Sequence, residues 1–262
     1  MKYCCFTFLL LLFISCSEND NLNHNEQQEI AAKIPKTKPK DIKEKPKLPL
    51  INDKNVVEEL TQFGKNNREN TVDIYTTKGK IRVKLYDDTP LHRANFILLV
   101  KSGYLNGCLF SRVVKNFMAQ CGGSYDEPQR KIQDSIGSYS IPNEISRKNF
   151  HKKGTIGMAR SYTNNPNKNS ECDEFYFVEG TKYSGITLDH YEEINKYKFN
   201  AEQRNYYKKN PGAAHIDGEH TVFGIIIQGY DVVKKLTHVD TDTQDWPVVD
   251  MYIDSAVIVH QK

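Results

Sequence analysis

Short runs of β-branched and aromatic residues recur along most of this chain and restrict the folds that it can adopt. Several runs alternate apolar with polar residues, as strands with one buried face do. In chain order they are TVDIYTT, KIRVKLY, LFSRVV, FMAQCG, GTIGMA, DEFYFV, HTVFGIIIQ and VDMYIDSAVIV. Tight-turn signals stand at Lys78 and Gly79, between the first two runs, and at Asp217 and Gly218. Many short strands joined by turns predict a mainly β chain with a closed or nearly closed antiparallel sheet.

A few segments have helical rather than strand spacing. The segments VVEELTQFG and GYDVVKKL each predict a short helix. A longer helix is predicted between Pro90, at a first helical position, and Gly103, at a C-terminal cap position. Residues 186–211 carry charges and tyrosines at helical spacing and end at Pro211, so they predict one or two helices inserted between strands.

The first residues, MKYCCFTFLLLLFISC, place a lysine before an apolar run that is too short to span a bilayer as a helix. The run ends in a small residue and Cys16, and polar residues follow at once. This pattern resembles a bacterial lipoprotein signal peptide, in which residues 1–15 would be removed and Cys16 would be lipidated. Acyl chains on Cys16 would then attach the protein to the bilayer of a bacterial cell envelope, facing the periplasm or exposed on the surface. An ordinary signal peptide with an incidental cysteine is the alternative.

Residues 16–55 are polar and rich in lysine and proline, with few large apolar side chains. Such a segment cannot bury enough surface to offset its loss of conformational entropy. It is expected to be a flexible tether that its prolines keep partly extended, and to hold a domain formed by residues 56–262 away from a lipid surface. Contact of its lysines with anionic lipid or glycan is the alternative.

Charge and cysteine content argue against two classes of function. The 36 Lys and Arg residues nearly balance the 33 Asp and Glu residues, which gives no case for nucleic-acid binding by the chain as a whole. Three cysteines remain beyond residue 16, at Cys108, Cys121 and Cys172, and their spacing matches no metal site. A bridge between Cys108 and Cys121 is possible if they lie on neighbouring antiparallel strands, and no metal is expected.

The stretch LFSRVVKNFMAQCGG contains a single arginine, Arg112, between apolar residues. Strand alternation puts Phe110, Arg112 and Val114 on one face, and Met118 and Gln120 on one face of the returning strand. A hairpin that aligns them would form a shallow apolar pocket with two hydrogen-bonding groups, as binding sites often have. By itself this stretch favours a solvated arginine on a strand edge, which is the more common case.

Further motifs along the chain belong with this stretch, because all of them resemble motifs of one protein family. FSRVV (110–114), FMAQ (117–120) and Gly122-Gly123 resemble the cyclophilin signature Phe-His-Arg-Val and Phe-Met-x-Gln-Gly-Gly. IPNE (141–144), GTIGMA (154–159), DEFYF (173–177) and HIDGEHTVFG (215–224) are similar to later cyclophilin motifs, in family order, across roughly residues 72–260. The resemblance implies a closed eight-stranded antiparallel β-barrel capped by two α-helices, here with the helical insertion at 186–211. It also implies peptidyl-prolyl cis-trans isomerase activity without a cofactor.

The resemblance assigns roles to individual residues. Arg112 would stabilise the twisted amide by donating to the proline nitrogen or a nearby carbonyl oxygen, and Gln120 would bind the substrate backbone. The implied substrate-binding residues are Phe117, Met118, Ala159, Arg160, Glu174, Tyr176, His215, Ile216 and His220. The partners expected are proline-containing peptides or unfolded exported proteins, whose folding the chain would assist, and a monomer is expected.

Several positions depart from the family pattern. Ser111 replaces histidine, Glu174 replaces glutamine, Tyr176 replaces phenylalanine and His215 replaces tryptophan. Glu174 could bring a negative charge near Arg112, and the Tyr176 hydroxyl needs a partner. These departures leave two alternatives: a catalytically weak cyclophilin-like module that binds peptides or proteins, and a purely structural surface adaptor.

Overall fold

The computed structural model describes residues 48–260. The predicted signal peptide at 1–15, the lipidation site Cys16 and the tether up to residue 47 lie outside the described residues. Between residues 48 and 260, no helix combines the length and apolar character that crossing a bilayer requires.

Eight antiparallel strands form one curled sheet, in the order β10-β1-β2-β9-β6-β8-β4-β3, and β5 pairs with β7 separately. The strands are β1 (Thr71–Thr76), β2 (Gly79–Leu85), β3 (Arg112–Val114), β4 (Met118–Gly122), β5 (Ser140–Ile141), β6 (Thr155–Met158), β7 (Ser170–Glu171), β8 (Glu174–Val178), β9 (Val222–Gln228) and β10 (Ile253–Ile258). The runs marked by alternation in the sequence therefore form the main sheet.

The sheet is open, and the expectation of a closed barrel is wrong at one edge. Strands β3 and β10 end the order and do not pair with each other as strands. An isolated bridge between Leu109 and Tyr252 spans the gap, helped by bonds such as Phe110 N to Met251 O at 2.9 Å. The cause is the short β3, which begins only at Arg112 and leaves the preceding residues outside the regular ladder.

Six α-helices lie within residues 48–260, and five of them fall in the segments that the sequence predicts to be helical. They are α1 (Val56–Asn66), α2 (Pro90–Ser102), α3 (Glu127–Ile136), α4 (Gly185–Ile194), α5 (Ala201–Lys209) and α6 (Tyr230–Thr237), and a 3₁₀ turn covers Ala214–Ile216. Helix α2 starts at Pro90 and ends at Gly103, which has a left-handed φ of 78° and donates to the Leu99 and Val100 carbonyls. This is the cap that the sequence predicts. Helices α4 and α5 lie in the segment between β8 and β9.

The main core lies between the inner face of the sheet and the helices that cover it. Phe96 of α2 packs edge-on against Phe175 of β8, with ring centroids 5.1 Å apart. Phe110 is also fully buried in this core, so the expectation that it shares the Arg112 face is wrong. It precedes β3, where strand alternation does not yet apply.

The three cysteines beyond residue 16 are buried and free. Cys108 and Cys121 therefore form no bridge. The Cys108 thiol instead donates to the Tyr104 carbonyl at 3.1 Å.

A smaller apolar cluster lies under the insertion and is separate from the main core. Its buried members are Phe150, Tyr183, Leu188, Phe199, Tyr207 and Ala214.

Candidate active site

One cavity of about 480 Å³ brings together the residues that the sequence assigns to a peptide site. It lies beside the β3–β4 hairpin and is also lined by β8, the segment after β6 and the segment around the 3₁₀ turn. Its lining residues are Arg112, Phe117, Met118, Gln120, Ala159, Arg160, Tyr162, Glu174, Tyr176, His215, Ile216 and His220. All except Tyr162 are on the list given above from the sequence.

Strand pairing places the polar groups in one row. Arg112 lies directly opposite Gln120 in the β3–β4 pair, and Gln120 lies opposite Tyr176 in the β4–β8 pair. The turn between β3 and β4 is tight, since Asn116 has a φ of 60° and Phe117 N donates to Val114 O at 3.0 Å. The alignment on which the pocket depends is therefore as the sequence predicts.

The Arg112 guanidinium is held at one nitrogen only. Its Nε donates to Asp245 Oδ2 at 3.1 Å, and the arginine side chain is 47% exposed. Asp245 is itself fixed, because it has a left-handed φ of 64° and its carbonyl accepts from Val113 N at 2.8 Å. Within residues 48–260 the two terminal nitrogens of Arg112 have no hydrogen-bond acceptor, so their N–H groups are free for a ligand.

Gln120 is oriented by a carboxylate. Its amide nitrogen donates to Glu174 Oε2 at 3.0 Å, and the Tyr125 hydroxyl donates to Glu174 Oε1 at 3.4 Å. Burial raises the pKa of Glu174, and the neighbouring Asp173 and Glu171 carboxylates add to that rise. In the described part of the chain Glu174 makes no ion pair. The negative charge next to Arg112 therefore comes from Asp245 and not from Glu174, which binds Gln120 instead.

The floor of the cavity is apolar. Met118, Tyr176 and Ile216 are buried there. Phe117 is partly buried at the edge, and its ring centroid lies 4.5 Å from that of His215. This is a surface onto which a small aliphatic ring can pack.

Two histidines at the rim are neutral near pH 7. Burial lowers the pKa of His220 to about 3 and that of His215 to about 4. His220 Nδ1 lies 3.1 Å from the Met158 carbonyl, which can only accept, so Nδ1 carries the proton. Its Nε2 then accepts from the Tyr162 hydroxyl at 2.7 Å.

Ala159 and Arg160 form one wall of the cavity, and their backbone hydrogen bonds differ. Both backbone groups of Ala159 are engaged, with N donating to Glu174 O and O accepting from Glu171 N, each at 2.9 Å. The Arg160 guanidinium pairs with Glu219 and lies 4.0 Å above the Tyr162 ring. The Arg160 side chain is thus committed to the wall. Its backbone N–H and C=O have no partner among residues 48–260 and remain available to a peptide.

Comparison with known proteins identifies the family. The family model for cyclophilin-type peptidyl-prolyl cis-trans isomerases matches residues 71–258. The chain belongs to this family. A peptidyl-prolyl cis-trans isomerase of Acinetobacter baylyi is 30% identical over 173 residues, which cover 66% of this chain and 74% of that protein. Peptidyl-prolyl cis-trans isomerase 10 of Caenorhabditis elegans is 27% identical over 192 residues, covering 72% and 94%.

Solved structures agree on the fold. A cyclophilin-type isomerase of Cryptosporidium parvum aligns with a TM-score of 0.53 and 19% identity, covering 74% of this chain and 99% of that one. The same protein in the presence of the dipeptide Ala-Pro aligns with a TM-score of 0.52 and 20% identity. The predictions of a cyclophilin fold and of peptidyl-prolyl isomerase membership are confirmed.

The sequence did not point to three contributors to this cyclophilin site. Tyr162 lines the cavity and binds His220, and its position just after the GTIGMA motif was the only available signal. Asp245 lies 133 residues beyond Arg112, in a turn that contains none of the cyclophilin-like motifs. His151 binds the Tyr176 hydroxyl from behind the floor at 2.9 Å. Each is defined by a contact between distant segments.

Proposed function

We propose that this cavity isomerises Xaa-Pro bonds, with Met118, Tyr176 and Ile216 receiving the proline ring. The observation that carries the proposal is the pair of terminal nitrogens on Arg112 that have no partner among residues 48–260, opposite Gln120 and beside an apolar floor. The Cryptosporidium parvum relative was solved in the presence of Ala-Pro, and we infer that a proline-containing peptide is the ligand here too.

Rotation about a peptide bond has a barrier of about 18–20 kcal/mol because amide resonance is lost. No bond breaks, so the enzyme needs only groups that favour the twisted amide over both planar isomers. In the twisted amide the proline nitrogen is pyramidal and has a lone pair. An N–H of Arg112 donates to that lone pair or to the neighbouring carbonyl oxygen, while the Nε bond to Asp245 keeps the guanidinium plane fixed.

The test is a proline-containing tetrapeptide assay on the full chain and on Arg112→Ala. We expect the wild type to accelerate isomerisation and Arg112→Ala to lower kcat/KM by about 10²-fold. Lys115→Ala, which removes an exposed cation from the same hairpin, is the matched control and should retain wild-type turnover. Equal activity in Arg112→Ala and wild type would refute the role of the arginine.

The alternative is a module that binds peptides but isomerises them poorly. The observation in its favour is Glu174, a carboxylate that engages Gln120 where the family has an amide. Micromolar peptide affinity without acceleration in the wild-type protein would support this alternative.

For the cellular role, we propose an isomerase that assists folding of exported proteins on a bacterial envelope. The sequence pattern at 1–15 and Cys16 supports lipid anchoring, and the composition of residues 16–55 supports a tether before a domain at 56–262. Whole-cell fractionation of wild type and Cys16→Ala tests the anchor. Loss of the protein from the membrane fraction in Cys16→Ala is expected, and unchanged fractionation would contradict it.

A further inference from the structure

A chain of buried hydrogen bonds runs from the floor of the cavity into the insertion. The Tyr176 hydroxyl lies 2.9 Å from His151 Nε2, and His151 Nδ1 lies 2.7 Å from Asp217 Oδ1. On the far side, the other Asp217 oxygen accepts from the Tyr207 hydroxyl at 2.7 Å and from the Gln203 amide at 3.4 Å. Tyr207 and Gln203 belong to α5, so the chain joins the insertion to β8.

The direction of each bond follows from the chemistry of the groups. Asp217 also accepts from the backbone N–H of His151 at 2.9 Å, which makes it the acceptor at the centre of the cluster. His151 Nδ1 therefore carries the proton, and Nε2 is left to accept from Tyr176. Burial keeps the pKa of Tyr176 well above its usual value, so the hydroxyl retains the proton that it donates. His151 and Asp217 are each about 1% exposed, which leaves water little access to replace either bond.

A second observation concerns the space that the ring occupies. A Cβ on Gly157 of β6 would lie 2.4 Å from both Cζ and the hydroxyl oxygen of Tyr176. The ring therefore lies against a backbone position that has no side chain, and its plane is within 13° of the His151 plane, with ring centroids 6.1 Å apart. Gly157 thus leaves room for the Tyr176 ring, and His151 accepts the hydrogen bond from its hydroxyl.

We propose that His151 and Asp217 are positioning residues for the proline pocket, and that helix α5 holds them in place through Tyr207. This inference rests on the proposed function of the cavity and names the device that fixes its floor. The floor packs on the proline ring in the planar and twisted states alike. Loosening it should therefore raise KM and the peptide Kd, with a smaller effect on kcat.

The decisive variant is Tyr207→Phe, which removes one hydroxyl from Asp217 and touches no group that lines the cavity. We expect the Kd of an Ala-Pro-containing peptide, and KM, to rise about three- to tenfold, the effect of losing one buried hydrogen bond. Tyr206→Phe on the same helix is the matched control, since its hydroxyl accepts from Lys153 N and not from this cluster. Equal Kd values for the two variants, or a Kd for Tyr207→Phe that matches wild type, would overturn the proposal.

A double-mutant cycle separates positioning from general destabilisation. Tyr176→Phe should raise Kd to a similar degree, and the double variant Tyr176→Phe/Tyr207→Phe should add little to Tyr176→Phe alone, because both act through the same chain of bonds. Fully additive effects would contradict the proposal.

The ¹⁵N shifts of His151 should report the Nδ1–H tautomer in wild type, and the opposite tautomer would also contradict the proposal. If wild type binds peptide but shows no isomerase activity, the proposed function fails while the Kd cycle and the tautomer still decide this inference.

Discussion

Asp245 accepts a hydrogen bond from Nε of Arg112 at 3.1 Å, although 133 positions separate the two residues in sequence. Both side chains are more than two-fifths exposed, so the pair adds little to the stability of the fold. Its importance is geometric. By binding Nε, Asp245 restricts rotation of the guanidinium and leaves the two terminal nitrogens, which have no acceptor among residues 48–260, free for a ligand.

Removal of this carboxylate should misplace Arg112 without unfolding the protein. Asp245→Gly tolerates the left-handed φ of 64° and is expected to lower kcat/KM by about ten- to a hundredfold. Asp245→Asn should lose less, because an amide oxygen can still accept from Nε. Isomerase kinetics alongside circular dichroism check both variants, with exposed Asp240→Asn as control. A wild-type kcat/KM in Asp245→Gly would show that the pair does not orient the arginine.

Replacement of Glu174 by glutamine should stabilise the protein near neutral pH. The pKa of Glu174 is raised in the folded state, so the folded chain binds this proton more tightly than the unfolded chain does. The stabilisation from protonation is complete below the unfolded pKa of about 4.5 and is lost as pH rises through the folded pKa. Thermal unfolding should therefore show a higher Tm for Glu174→Gln than for wild type at pH 7, with the gain shrinking towards pH 4. Glu193→Gln, at an exposed position on α4, should show no such pH-dependent gain.

Acidification should act through the rim histidines in the opposite sense. The pKa values of His220 and His215 fall from about 6.5 to about 3 and about 4 on folding, so the unfolded chain binds more protons between these limits. Their contribution to stability is complete above pH 6.5 and is lost as pH falls towards 4 and then 3. Urea unfolding from pH 7 to pH 4 should give a steeper loss of unfolding free energy in wild type than in His220→Gln. Identical slopes would mean that His220 is not held neutral by burial.

Much of the fold could be predicted because its elements depend on local pattern. Alternating runs and a turn at Lys78 and Gly79 predict β1 and β2, and Pro90 and Gly103 mark the ends of α2. Two features could not be predicted this way. Helix α3 reads EPQRKIQDSI, in which only Ile132 and Ile136 are apolar, so its helical spacing rests on a single pair of residues four positions apart. Closure of the sheet depended on how the residues before Arg112 meet the segment before β10, and that is a contact between distant parts of the chain.

The same distinction holds in the cavity. Arg112, Met118 and Gln120 could be placed together because a two-strand hairpin has only one register that aligns them. Asp245 and His151 could not, since nothing in their own neighbourhoods marks them as partners of Arg112 and Tyr176. Sequence motifs predict the surface that would touch a substrate. Asp245, His151 and Tyr207 help to hold that surface in place, and they come from loops and from the insertion, outside the motifs quoted from the sequence.

Gly157 offers a steric test of the cavity floor. In Gly157→Ala the new Cβ would lie 2.4 Å from the Cζ of Tyr176, whose ring is 3% exposed and tied to His151, so neither group can yield freely. We expect peptide Kd to rise about tenfold or more, with a loss of stability of about 1–3 kcal/mol as in other overpacked sites. Gly185→Ala, at the first residue of α4, meets only a lysine side chain at 3.6 Å and is the control. Because a phenylalanine ring is not tied to His151 and can move away, Gly157→Ala/Tyr176→Phe should bind peptide better than Gly157→Ala alone. If the double variant binds no better, the floor is not held by the Tyr176 hydroxyl but by the packing around it.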